Sequence, residues 1–297
     1  MDITLLDGGM GQELVHRSGQ APTPLWATRV MMDHPGLVQA IHADYLAAGA
    51  TVATTNSYAI HHDRLERFDL DHQFAPLHLA ALAEARAAVA AHGVGRIAGS
   101  LGPLVASYRP DTCPAVAIAA PKYAEICAIM APQVDLFLCE TMSSVQQAEG
   151  ALLGAEGHGR PVWLSVTVED ADGTRLRSGE PLAELAPLIA RYRPAAVLAN
   201  CSVPEAMSDA MAALRGLGLP FGAYANGFTH ISDAFKTDAP TVDALDHRHD
   251  LTPERYADMA MGWVAQGATI VGGCCEVGPA HISELARRLV AAGHRIV

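Results

Sequence analysis

Tyr45-Leu46-Ala47-Ala48-Gly49-Ala50-Thr51-Val52 reads as the last turn of a helix, a glycine that stops it, and the first residues of a strand. Leu37, Val38, Ile41 and Tyr45 fall at helical spacing ahead of Gly49, which is suited to ending a helix because it has no Cβ to oppose a left-handed turn. Nearly the same words recur as Trp263-Val264-Ala265-Gln266-Gly267-Ala268-Thr269-Ile270. Such an echo implies a β/α unit used more than once. Outward from these joints, eight short apolar runs alternate with helical stretches: Ile3–Leu6, Thr51–Thr55, Arg96–Gly99, Asp135–Cys139, Val162–Val166, Ala196–Ala199, Phe221–Ala225 and Thr269–Gly272. Strands that alternate with helices make a parallel sheet, and parallel strands buried on both faces read as unbroken apolar runs. Eight is the count of a closed barrel, so the expected fold is α/β, a (β/α)8 TIM barrel. The competing architecture is an open doubly wound sheet, whose first turn more often carries Gly-x-Gly-x-x-Gly; Asp7-Gly8-Gly9-Met10-Gly11 does not have that spacing.

Helix-start signals agree with this division. Ser143 or Ser144 with a following Gln suggests a capping box, and Thr252-Pro253 an N-cap with proline at the first helical position. No linker or low-complexity tract divides the chain, so residues 1–297 are expected to form one domain. Phe228 to Leu251 is long, polar and rich in Asp and His, and reads as an excursion after the seventh strand that serves as a lid or binding loop.

Half of the 297 residues are hydrophobic and 18% are charged, which is enough apolar material for a large core. A formal charge of -12, from 32 acidic against 20 basic residues, repels phosphate backbones and argues against a nucleic-acid partner. The most apolar stretch, Leu77 to Val89, is broken by Glu84 and Arg86, so no membrane span is expected. Asp2 and Asp7 stand where a signal peptide would be basic and then apolar, and the expected location is the cytoplasm.

In a parallel barrel the carboxyl ends of the strands converge on one face, where catalytic groups sit. These ends bring together Asp7, Asn56, Tyr58, Ser100, Glu140-Thr141, Asn200-Cys201, Tyr224-Ala225-Asn226 and Gly272-Gly273-Cys274-Cys275. Each of the six cysteines can be a small buried hydrophobe, and Cys113, Cys127 and Cys139 are read that way. Cys274 and Cys275 are different, because a bond between chain neighbours closes a strained ring while two thiols beside Gly-Gly can turn toward one point. A third thiol, Cys201, could reach that point. Thiolate donors favour zinc, and three protein ligands leave the fourth tetrahedral position open. From the residues alone the trio stays balanced between a metal site and packed thiols, since the usual Cys-x-x-Cys pair is missing.

Zinc whose charge three thiolates already offset is a poor generator of hydroxide and better suited to holding a fourth thiolate. A free thiol with a pKa of roughly 8.5 is mostly protonated at neutral pH, whereas coordination removes its proton and fixes its direction of attack. An activated substrate sulfur points to alkyl transfer.

Taken in order, Asp7-Gly8-Gly9-Met10-Gly11, Leu25-Trp26, Thr55-Asn56-Ser57-Tyr58, Gly99-Ser100-Leu101-Gly102-Pro103, Cys139-Glu140-Thr141, Asn200-Cys201 and Gly272-Gly273-Cys274-Cys275 resemble the successive motifs of the homocysteine S-methyltransferase family. The resemblance implies zinc on Cys201, Cys274 and Cys275, with Asp7 and Glu140 taking the amino group of homocysteine and backbone amides around Gly8 and Gly9 meeting its carboxylate. Trp26 and Tyr58 match positions near the methyl donor, and an onium donor such as S-methylmethionine or betaine would rest against the two aromatic faces; Asn226, at the end of the seventh strand, is read as a further substrate-binding residue. The implied reaction is in-line displacement of the donor methyl by the thiol sulfur, giving methionine.

Several residues depart from the commonest family pattern. Gln12 stands where threonine is frequent, Ala225 where proline is, and Glu276-Val277-Gly278 where the S-methylmethionine-dependent members carry an arginine-threonine run. The Phe228–Leu251 segment also differs. All lie on the expected donor side. His61-His62 and His247-Arg248-His249 are read as solvated loop residues rather than ligands. Two rivals remain: a homocysteine-activating module served by a folate or corrinoid partner, and a thiol- or zinc-binding barrel without catalysis.

Overall fold

The computed structural model describes residues 1–237 and 240–297. Its sheet contains β1 (Asp2–Leu5), β2 (Val52–Thr54), β3 (Arg96–Leu101), β4 (Leu136–Met142), β5 (Val162–Val166), β6 (Ala196–Asn200), β7 (Phe221–Ala225), β8 (Ile270–Gly273) and a short β9 (Arg295–Ile296). Every pairing is parallel, in the order β2-β3-β4-β5-β6-β7-β8-β1-β9. A parallel bridge between Leu6 and Val52 joins β1 to β2 and closes the ring, supported by the Thr51 amide donating to Leu5 O at 2.7 Å. The (β/α)8 barrel read from the sequence is therefore the fold.

All eight expected strands are present, with ends displaced by up to three residues. The ninth was not expected. Asp2 pairs with Arg295 and Ile3 with Ile296, so the chain end lies along the amino-terminal edge of β1, where Val297 O accepts from Thr51 Oγ1 at 2.7 Å. Two residues carry too little periodicity to announce a strand.

Strand side chains alternate between two apolar layers. Leu6, Val52, Ala98, Leu136, Leu138, Ala196, Leu198, Tyr224 and Ile270 fill the barrel interior. Their neighbours Phe137, Cys139, Val197, Ala199, Ala223 and Val271 pack outward against the helices. This period of two decides what reaches the catalytic face. Continued past the packed layers, the inward parity of 98, 136–138, 196–198 and 270 carries Ser100, Glu140, Asn200 and Cys274 into the mouth. The outward parity leaves Cys139 in the wall, and Cys127 joins it there from a helix, both thiols pushed up by burial.

Caps fall where the sequence places them. Ser144 Oγ accepts from the Gln147 amide at 3.1 Å while Gln147 Oε1 accepts from the Ser143 amide at 2.7 Å, so both serines share the capping device. Thr252 caps the helix Pro253–Ala265 by accepting from Arg255 N, and Gly49 has a φ of +108°. Asp71–His92 is the one described segment whose length and composition would allow it to cross a membrane; Leu77, Ala81, Leu82 and Ala85 on it are buried in the protein core.

Candidate active site

The sulfurs of Cys201, Cys274 and Cys275 all lie within 4.8 Å of one another at the end of the barrel. Cys201 and Cys274 are joined as a disulfide across 73 positions of sequence, with Cα atoms 5.7 Å apart, and Cys275 Sγ is 3.9 Å from Cys201 Sγ. The disulfide is a pairing the sequence reading did not anticipate. Two thiols aimed at a common centre are also placed to bond to each other, so one backbone arrangement serves the oxidised pair and the three-thiol ligand set. A tetrahedral zinc with Zn–S bonds of about 2.3 Å places its sulfurs about 3.8 Å apart, close to the Cys201–Cys275 spacing. Once the bond between Cys201 and Cys274 is reduced, the donor set fits a thiophilic metal. Without a cation, burial, then Glu276 and Glu140, push the Cys275 thiol up to about 12, where it stays protonated.

Two buried carboxylates face the same opening. Asp7 accepts from the Thr54 amide at 2.6 Å and from Thr54 Oγ1 at 2.8 Å. Glu140 accepts from Ser100 Oγ at 2.5 Å and from the Tyr224 hydroxyl at 3.1 Å. Neither has a Lys or Arg partner among the described residues; the nearest basic group to Asp7 is His42 Nδ1 at 4.0 Å. Burial is the main cause that pushes Asp7 up to about 7, with the Glu140 charge adding to it, and burial raises Glu140 as well. Two buried carboxyls, one of them raised by the other's charge, open on the same cavity.

Above them is a cavity of about 440 Å³, lined by Asp7, Gly8, Gly9, Trp26, Tyr58 and Glu140 together with all three cysteines. Trp26 and Tyr58 meet edge to face with ring centroids 6.2 Å apart, and Tyr58 OH is 2.7 Å from Ser107 Oγ. The Phe228–Leu251 excursion supplies the opposite wall. It contains two short 3-10 turns, Asp233–Lys236 and Val242–Ala244, and an antiparallel bridge from Phe228 to His247; residues 238 and 239 fall outside the described residues. Its Phe228, Ile231 and Leu245 pack with Tyr108 and Cys201. The segment is polar in composition but presents its apolar residues to the thiols.

With this geometry in view, comparison with known proteins is decisive. The homocysteine S-methyltransferase family pattern matches residues 4–289. A homocysteine S-methyltransferase of Escherichia coli is 32% identical over 97% of this chain and 95% of its own length, and one of Bacillus subtilis is 27% identical over 96% and 93%. The chain belongs to the homocysteine S-methyltransferase family. The E. coli homocysteine methyltransferase MmuM superimposes with TM-scores of 0.81 in its metallated form and 0.80 in its oxidized form, at 29% identity, covering 97% of this chain and 96% of MmuM. Methionine synthase of Mycobacterium tuberculosis matches 85% of this chain with 21% of its own length.

Within this family site, several expected residues sit differently from the reading of the sequence. The Gly9 amide donates to Val277 O at 3.0 Å and is not free to meet a carboxylate. Gly8, Gly9 and Gly11 all line the cavity, Gly8 partly exposed and Gly11 covered by the Trp26 ring. Asn226 is fully buried, its Oδ1 accepting from the Phe228 amide at 3.2 Å, and it does not line the cavity. His61 is buried, contrary to the solvated loop expected for it, because the turn after β2 folds inward against Tyr123. His247 pairs with Glu276 at 2.9 Å, and its ring stands 5.1 Å from that of His249.

The sequence reading places Asn200 at the end of the sixth strand without a role and does not single out Asp170 or Arg177 at all. Asn200 is wholly buried: its Oδ1 accepts from the Thr141 amide at 2.9 Å and from Ser165 Oγ at 2.7 Å, and its Nδ2 donates to Thr141 Oγ1 at 2.8 Å. It thereby fixes the residue after Glu140. Asp170 holds Arg177 in a two-pronged pair at 2.7 and 3.1 Å and accepts from the amides of Val203 and Ile231, tying the Cys201 loop to the excursion. Nothing in their local sequence marked Asp170 or Arg177. Backbone strain marks the site in the structure, though not these three residues. Of the eight non-glycine residues with positive φ among the described residues, Trp26, Val105, Tyr108, Thr141 and Cys201 line the cavity and Glu276 follows Cys275.

Proposed function

We propose that this chain, acting as one homocysteine-binding barrel, transfers a methyl group from a small onium donor to the thiol of homocysteine in a zinc-dependent reaction. The observation that carries the reading is the convergence of Cys201, Cys274 and Cys275 on a cavity that also holds Asp7 and Glu140, neither of which has a Lys or Arg partner among the described residues. Zinc, when bound by the three reduced cysteines, would supply deprotonation and orientation of the acceptor thiol.

The chain's own residues do the rest. Asp7 and Glu140 receive the ammonium group of homocysteine, which relieves their repulsion and sets the acceptor's orientation. The glycine-lined turn at Gly8 admits the carboxylate to close approach. Trp26 and Tyr58 offer ring faces to the positive donor, worth about 0.5–2 kcal/mol depending on desolvation. Phe228, Ile231, Leu245 and Tyr108 keep water from the sulfurs. The acceptor sulfur forms a bond to the donor methyl carbon as the carbon–onium bond breaks, and that electron pair leaves with the neutral fragment. The thiol proton passes to solvent. No general acid is needed, because the leaving group departs uncharged.

The test is methionine formation by the reduced, zinc-loaded chain from homocysteine and each of S-methylmethionine, betaine and dimethylsulfoniopropionate. Turnover with one of them and no other protein supports the reading. Turnover only when a folate or corrinoid protein is added would replace the onium donor with a partner, and homocysteine binding without turnover under either condition would reduce the chain to a binding barrel.

A further inference from the structure

Gln12 and Glu276, two of the positions set apart from the commonest family pattern, lie 264 positions apart in the chain and are hydrogen-bonded to each other through Gln12 Nε2 and Glu276 Oε1. Gln12 Oε1 accepts from the Trp26 indole Nε1–H at 3.0 Å, and Glu276 Oε2 lies 2.9 Å from His247 Nδ1. The directions are forced. The indole can only donate, so the Gln12 amide turns its oxygen to Trp26 and its NH2 to position 276, where Glu276 supplies the acceptor. An arginine there would be a donor facing a donor, and a threonine at position 12 would be too short to span the gap. Each departure requires the other.

Trp26 is held from further sides. Its backbone has a φ of +46°, unusual for a bulky residue, and its ring lies so close over Gly11 that a Cβ there would fall 2.1 Å from Trp26 Cζ2. The Glu276 side chain is 6% exposed and Gln12 is buried, so the bonds are little diluted by water. At the far end, the excursion is stapled to the same loop: the Gly227 amide donates to Cys275 O at 2.8 Å, and the Arg248 amide to Gly227 O at 2.8 Å.

We propose that Gln12, Glu276 and His247 form a positioning chain that locks the Trp26 indole as a wall of the onium-donor subsite. The chain sets donor affinity and leaves acceptor binding to Asp7 and Glu140. This rests on the proposed onium reaction, because it gives Trp26 a donor to face.

The test uses the full, zinc-loaded chain. The Trp26 indole N–H signal is assigned in a nitrogen-15 NMR spectrum from its loss in Trp26→Phe. Trimethylsulfonium is the binding probe, and homocysteine affinity and zinc content are measured alongside. Gln12→Leu and Glu276→Leu should each shift the Trp26 signal and weaken probe binding roughly threefold to tenfold, at the scale of a cation–π contact, with homocysteine affinity and zinc content unchanged. Glu276→Gln keeps an acceptor and should stay close to wild type. In the Trp26→Phe background, Glu276→Leu should add nothing. An unmoved Trp26 signal, unchanged probe affinity, or an equal loss of homocysteine affinity overturns the chain. Failure of every onium donor to give methionine, with the Trp26 shift and the probe losses intact, would instead remove the proposed reaction and leave the positioning chain standing.

Discussion

Asp7 and Glu140 line one cavity as two buried carboxyls, and the charge of Glu140 helps hold Asp7 in its protonated form. Asp7 is pushed up from 3.8 to about 7, chiefly by burial. For a group raised on folding, its stabilising contribution is complete below the unfolded value and is lost as pH rises through the folded one. The ligand-free protein should therefore lose stability between pH 4 and about 7 in denaturant melts, and Asp7→Asn should flatten that slope. With Asp7 in the proposed role, homocysteine binding should show the opposite dependence, since an ammonium group needs the ionised carboxylate. Affinity should rise through about pH 7 in the wild type, and the part of that rise due to Asp7 should vanish in Asp7→Asn.

Asn200 makes three hydrogen bonds with no access to water, so Asn200→Ala strands the Thr141 amide and hydroxyl and the Ser165 hydroxyl. A loss of about 2–4 kcal/mol is expected in chemical denaturation. Because Thr141 follows Glu140 with a φ of +61°, homocysteine affinity should fall as well.

The Asp170–Arg177 pair has side chains 18% and 7% exposed, so removal of one partner leaves a largely desolvated charge. Asp170→Ala is expected to cost about 3–5 kcal/mol by denaturant unfolding. Replacing both residues together with apolar ones should cost less than the sum of the single changes. A double-mutant cycle measures this directly.

Gly11→Ala would drive a methyl into the Trp26 ring. Donor KM should rise several-fold with little change in homocysteine KM, as expected when the ring that meets the donor is displaced. A change confined to homocysteine KM would place Trp26 on the acceptor side.

What the sequence revealed follows from which signals are local. Eight apolar runs and the repeated Gly-Ala-Thr joint are short-range patterns, and they carried the barrel. The strand ends then brought Cys201, Cys274, Cys275 and Glu140 to one rim, and the family resemblance, not the residues alone, turned the trio into a metal site. The Gln12–Glu276 bond was not, because each residue looked only like a departure until the first and eighth βα loops were placed side by side. The inward-facing Phe228 and Leu245 were hidden by polar neighbours in a segment with no regular period, and His61 by its adjacency to the half-exposed His62. The Asp170–Arg177 pair lies just past β5, where the sequence reading had no strand-end residue to follow.

Zinc-edge X-ray absorption on the reduced chain, before and after homocysteine is added, tests the thiol site most directly. The expected result is a zinc ion bound to three sulfurs and one lighter atom, becoming four sulfurs with homocysteine, and loss of the zinc in Cys201→Ala, Cys274→Ala and Cys275→Ala. Full zinc content in any of these variants, or a sulfur count unchanged by homocysteine, would contradict it.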